Sequence, residues 1–223
     1  MLTTINRGQL KIIEATIDYV QQELTFAEGG HDWWHIYRVW KNASKIATEE
    51  GADEFIVQIA ALLHDIADSK FYGGDENIGP NKATTFLKTM NLDSTSIAHI
   101  EAIIRNMSFK NTFEDSSFNS IELDVVRDAD RLDAIGAIGI ARTFNYGGHK
   151  GFEIYNPDIK PKLKMTKDEY KTSNAPTINH FYEKLLLLKN MMTTNTGKRL
   201  AKGRHKTMEN YLKQFYKEWD GKV

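Results

Sequence analysis

The chain has 223 residues, 41% hydrophobic and 26% charged, a composition that suits one large domain and lies far from that of chains that stay disordered. Lys plus Arg number 29 against 30 Asp plus Glu, for a net charge of −1, so no overall positive field exists to hold nucleic acid by phosphate neutralisation. The absence of cysteine excludes disulfides, thiolate nucleophiles and Cys-based zinc or iron–sulfur sites, leaving nitrogen and oxygen as the only metal donors.

The apolar runs are too short to span a membrane, and Met1-Leu2-Thr3-Thr4-Ile5-Asn6 has no cationic flank before an apolar core; a soluble, cytoplasmic protein is expected. Only Pro80, Pro157, Pro161 and Pro176 interrupt the sequence, and apolar residues recur every three or four positions, which predicts an all-α fold. Leu10, Ile13, Ala15, Ile17, Val20 and Leu24 form the apolar face of a first helix, and a second runs from about Asp32 to Glu50, stopped by Gly51. Asp53 is placed to cap a third, Phe55 to Ala67, whose Phe55, Ile56, Ile59, Ala60, Leu62, Leu63 and Ile66 leave almost no polar face and mark it as central.

A glycine-bearing loop, Ser69 to Asp75, leads to helices at Lys82–Met90 and Ser94–Arg105; a helix over 121–145 follows, with a break expected at Gly136 or Gly139. From Asn145 to Pro176 the periodicity is lost, and a segment of that length in a compact domain is expected to serve as a lid or substrate wall. Ile178–Met192 and Thr196–Trp219 close the chain as a helical pair. The expected organisation is a single domain over 1–223, with a core at about 20–145, a lid at about 145–176 and C-terminal helices at about 177–220.

Charged groups on apolar helices carry the chemical information, because a buried charge is costly unless paired or bound to metal. Three places stand out. In His31-Asp32-Trp33-Trp34-His35-Ile36-Tyr37-Arg38-Val39, His31 and His35 share a helical face and Arg38 lies one turn beyond His35. In Leu62-Leu63-His64-Asp65-Ile66-Ala67-Asp68, His64 and Asp65 stand roughly 100° apart around the axis and can reach one point beside the helix, with Asp68 a turn on. In Val126-Arg127-Asp128-Ala129-Asp130-Arg131-Leu132-Asp133, Asp130 and Asp133 share one face and Arg127 and Arg131 another. Two histidines and two aspartates from three helices would form an all-N/O site suited to a divalent cation with positions left for water and a phosphate oxygen.

This scattered His … His-Asp … Asp pattern resembles the HD-domain metal-dependent phosphohydrolases, over most of the chain from His31 through Arg142. The resemblance implies an HD-type helical bundle, and more narrowly it is similar to the bacterial YpgQ-type branch, which implies release of pyrophosphate from (deoxy)nucleoside triphosphates. Carried over by motif position, it assigns His35, His64, Asp65 and Asp130 as metal ligands and Asp68 as the group that orients or deprotonates the attacking water. Manganese is the expected ion, with Mg, Co, Ni, Fe or Zn as alternatives. Two-metal members of the family supply further histidines after the doublet; Ile103 to Lys110 has none and His99 stands two turns earlier, so one metal is expected. The Gly-Tyr-Pro signature of cyclic-dinucleotide phosphodiesterases is absent.

Phosphates also need cations beyond the metal, and Arg38, Lys70, Lys110 and Arg142 are the candidates. Asp128 and Asp133 are expected to hold Arg127, Arg131 or the ligand imidazoles in place, and His31 to touch phosphate or cap the helix beginning at Asp32. Among Trp33, Trp34, Tyr37 and Trp40, aromatics at helical spacing suit core packing or, at one position, a stacked base; Tyr146 and His149 of the expected lid are comparable candidates. The expected partner is a small nucleotide, with no nucleic acid or membrane and with a homodimer allowed for. The alternatives are a 5′-deoxynucleotidase acting on monophosphates, a non-catalytic nucleotide-binding module, and an oxygenase on the same scaffold, which would call for two irons and further histidines.

Overall fold

The start of each early helix is dictated by its capping residue. In the computed structural model, which describes residues 5–25, 32–67, 75–107, 118–166, 169 and 173–223, Asn6 and Gln9 exchange hydrogen bonds in a capping box that opens α1, Arg7–Glu23. Asp32 accepts from the His35 N–H at 2.9 Å and opens α2, Trp33–Glu50, which Gly51 ends in the left-handed region at φ 70°. Asp53 accepts from the Phe55 and Ile56 amides and opens α3, Glu54–Leu63. The positions of α1 and α2, the Gly51 stop and the Asp53 cap follow the sequence expectations; one side chain does not, since Leu10 is 48% exposed and the buried stripe of α1 is Ile13, Thr16 and Val20.

The chain divides into two compact units, Met1–Asp130 and Arg131–Val223. In the first, α3 packs against α1, α2 and α5, Ser94–Asn106, while α4, Ile78–Thr89, packs on α5. Every residue from Phe55 to Leu63 is buried, which explains why α3 has no polar face. Its end differs from expectation. The helix stops at Leu63 instead of running to Ala67, and His64 and Asp65 occupy a turn. In this turn the His64 ring folds back so that Nδ1 lies 2.8 Å from the Ala61 carbonyl. The first unit ends within α6, Ile121–Asp133, at whose start Ser120 Oγ accepts from the Leu123 N–H.

The second unit is built on α7, Gly136–Lys150, packed against the last helix. The expected break falls at Gly136, whose φ of 76° and whose missing Cβ, which would lie 2.9 Å from Arg204 Cβ, both require glycine. Helix α7 continues past Asn145 to Lys150 before Gly151 ends it in the left-handed region, so Tyr146 and His149 lie on a helix and the irregular segment begins only at Phe152. That segment is tied down where Glu153 and Ile154 carbonyls accept from the Thr177 and Ile178 amides.

The expected helix Ile178–Met192 is instead a short α-helix, α8, Asn179–Glu183, followed by a 3₁₀ segment, Leu185–Met191. Lys184, at φ −143° and ψ −57°, leaves helical space between them. Thr194 caps α9, Asn195–Trp219, whose Ala201, Met208 and Leu212 are buried, as are Phe181, Leu185 and Leu188 of the preceding segments. No strand occurs among the described residues, so the fold is all-α. No described helix is long and apolar enough to cross a membrane.

Candidate metal centre

Three elements of the first unit supply the site. The α2 N-terminus carries His35, only 3% exposed; the turn after α3 carries His64 and Asp65; α6 carries Asp130. One ligand atom each from His35, His64 and Asp130 lie within 4.8 Å of one another, the one such grouping of His and carboxylate residues among those described. Asp130 Oδ1 is 3.5 Å from His35 Nε2 and 3.9 Å from His64 Nε2, and Asp65 Oδ2 is 4.0 Å from His35 Nε2. The two imidazole rings meet at 60° with centroids 5.5 Å apart. Both histidine side chains are almost fully buried, whereas those of Asp65 and Asp130 are 21% and 42% exposed, so the carboxylate side of the cluster faces solvent.

The donor chemistry fits a divalent cation. A carbonyl oxygen can only accept, so the contact with Ala61 calls for a proton on His64 Nδ1, and Nε2, 3.9 Å from Asp130 Oδ1, is the nitrogen that a metal would take. Neutral imidazole nitrogens and ionised carboxylates are the ligand states that such a cation needs. Early termination of α3 is therefore part of the site: it turns two successive residues out of the most buried helix while fixing the tautomer of one.

The remaining candidates are placed as follows. Arg38 is half-buried on α2, one turn beyond His35. Arg142 directs Nη1 to Asp133 Oδ2 at 2.6 Å, and Asp133 is 1% exposed; the expected phosphate cation is thus anchored on a buried carboxylate. Asp133 also faces Arg204, whose guanidinium is driven below its ordinary value by burial and partly restored by that charge, and which donates to the Leu132 carbonyl. Arg127 donates to the Asn106 carbonyl and Arg131 to the Met191 carbonyl at 2.6 Å. Asp68, Lys70, Lys110 and His31 lie outside the described residues; the cap of α2 is Asp32. His99 stands apart from the cluster, with Nε2 3.2 Å from Ser120 Oγ and 3.5 Å from Glu122 Oε2.

One contributor had no reading in the sequence. The Ala61 carbonyl has no residue signature. A backbone acceptor becomes visible only once the turn is built.

The HD domain pattern matches residues 33–135. YpgQ of Bacillus subtilis is 36% identical over 214 residues, covering 96% of each chain. The structure of an HD-superfamily hydrolase from Bacillus thuringiensis is 43% identical, with a TM-score of 0.77, covering 95% of this chain and 98% of that one. The structure of B. subtilis YpgQ in complex with ADP is 37% identical with a TM-score of 0.76, covering 95% and 96%. The matched segment begins just before His35 and ends just after Asp130, so the clustered residues and the family's sequence pattern coincide, and the chain belongs to the HD superfamily of hydrolases.

Proposed function

We propose that the protein is a metal-dependent phosphohydrolase of nucleotide phosphates that releases pyrophosphate from (deoxy)nucleoside triphosphates. The observation that carries the reading is the convergence of His35, His64 and Asp130 ligand atoms within 4.8 Å, with Asp65 alongside. These four residues hold one divalent cation, manganese in the first instance. Such an ion, when bound, lowers the pKa of water and polarises a phosphoryl oxygen. The nucleotide substrate is supported by the relative YpgQ, whose structure was determined with ADP.

The chain's own groups divide the remaining work. His35 and His64 supply neutral nitrogen donors from a dry wall, and Asp130 holds charge at the solvent-facing side, where a phosphate chain enters. Asp68 orients the attacking water and accepts its proton as the bond between the α-phosphorus and the bridging oxygen breaks and pyrophosphate leaves. Arg38, one turn from His35, offsets charge on the phosphate oxygens, and Lys70 and Lys110 are proposed for the same role.

The test is to incubate metal-stripped protein with Mn²⁺ and nucleoside mono-, di- and triphosphates, resolving products. Pyrophosphate plus monophosphate from triphosphates is expected. Orthophosphate plus nucleoside from monophosphates would replace the reading by a nucleotidase, and no turnover by a binding module. Asp65→Ala is expected to lose both bound metal and turnover while retaining its helical circular dichroism; retained activity would overturn the assignment.

A further inference from the structure

We propose that Trp34 is the residue on which the base of the bound nucleotide stacks, so that α2 reads the base as well as holding the metal. This rests on the proposed nucleotide chemistry and adds to it the element that distinguishes a nucleotide from a plain polyphosphate. The structure separates four neighbouring aromatic residues that helical spacing left equivalent. Trp40 is committed to the interior, donating its indole N–H to Gln58 Oε1 at 2.9 Å, and Gln58 is buried. Tyr37 is the hub of the cluster, with Trp33, Trp34 and Trp40 around it at centroid distances of 6.1, 5.8 and 6.0 Å and the Lys41 ammonium 5.6 Å from its centroid. Trp33 is half-buried. Trp34 alone of the four is exposed, at 60%.

An indole that exposed keeps its large apolar face in water at a cost unless something covers it. Its contact with Tyr37 is edge-on, at 78°, so Tyr37 leaves at least one indole face open. The position points to the occupant. Trp34 adjoins His35 in sequence, and Arg38 is four residues from Trp34 and three from His35, so around the axis of α2 the half-buried Arg38 lies between the exposed Trp34 and the buried His35. A ring face, a guanidinium and a nitrogen donor of the metal cluster thus come within one turn of helix, and a nucleotide likewise carries a base close to its phosphates. A nucleobase has a π-face whatever its identity, so stacking here favours nucleotides over inorganic polyphosphate with little choice among bases. The locked hub beneath Trp34 holds the indole in place without ligand, which reduces the ordering cost of binding.

The experiment compares wild type, Trp34→Ala and Trp34→Phe in the presence of Mn²⁺, measuring by calorimetry the affinity for ADP and for inorganic pyrophosphate. Trp34→Ala is expected to weaken ADP binding by about ten-fold or more while leaving pyrophosphate affinity unchanged, and Trp34→Phe to restore most of the loss. Equal ADP affinity in wild type and Trp34→Ala would overturn this inference and leave the proposed nucleotide chemistry standing. Equal weakening of ADP and pyrophosphate would also overturn it, since the substitution would then act on the phosphate or metal end. A wild type that binds pyrophosphate but shows no gain for ADP would overturn both.

Discussion

His180 provides a quantitative test of the second unit. It sits in the first turn of α8, beside the wholly buried Phe181. Burial pushes its imidazole down from the ordinary 6.5 to about 4, and the Lys184 charge one turn on adds to the same effect. Because the folded value lies below the unfolded one, the unfolded chain takes up a proton first as pH falls. The contribution is therefore fully present above pH 6.5 and is lost as pH drops from there through about 4. A shift of this size corresponds to about 3 kcal/mol; His180 retains some contact with water, which reduces the expectation to about 2 kcal/mol. Urea unfolding at pH 7.5 and pH 4.5 measures it. His180→Gln removes the titration, so wild type is expected to lose about 2 kcal/mol more than the variant between these conditions, a difference of about 1 M in urea midpoint. Identical losses in the two proteins would show that His180 is not held neutral by burial.

Two further substitutions test the packing of the second unit. Arg142→Ala leaves the carboxylate of Asp133, 1% exposed, without its 2.6 Å partner and is expected to cost about 2–4 kcal/mol; Asp133→Asn, which leaves an arginine able to turn toward water, is expected to cost less, and denaturant titration of both variants and their double mutant gives the coupling. Gly139→Ala would place a Cβ 2.3 Å from the Ala134 carbonyl oxygen, a backbone atom that cannot rotate away, so a loss of about 1–3 kcal/mol in the thermal or urea transition is expected; an unchanged midpoint would mean that the α6–α7 turn relaxes freely.

Most of the helical layout could be read from local rules. Asp53 caps because a short carboxylate reaches the first free amides, and Gly51 ends α2 because a left-handed residue does so at least cost in glycine. The continuous apolar character of Phe55–Leu63 announced a helix surrounded by neighbours. The candidate site was legible as a set because His-Asp on an apolar helix, an upstream histidine and a downstream aspartate are costly residues to bury without a common purpose. The exposure of Leu10, the 3₁₀ segment after Lys184 and the extension of α7 to Lys150 were not legible, because each depends on which neighbour packs alongside, a quantity that periodicity does not encode.

The sequence by itself determined the helical class, the all-N/O donor set and the identity of the residues that could serve in it. Tertiary structure decided the geometry. It ended α3 at Leu63, placing His64 and Asp65 in a turn where the His64 ring meets the Ala61 carbonyl. It drew Arg142 onto Asp133, and it left Trp34 outside while placing Trp40 on Gln58. The physical reason is common to all three. Spacing along a helix states which side chains share a face, but which of them finds a buried partner and which keeps its surface in water is settled only by the groups that other segments bring against that face.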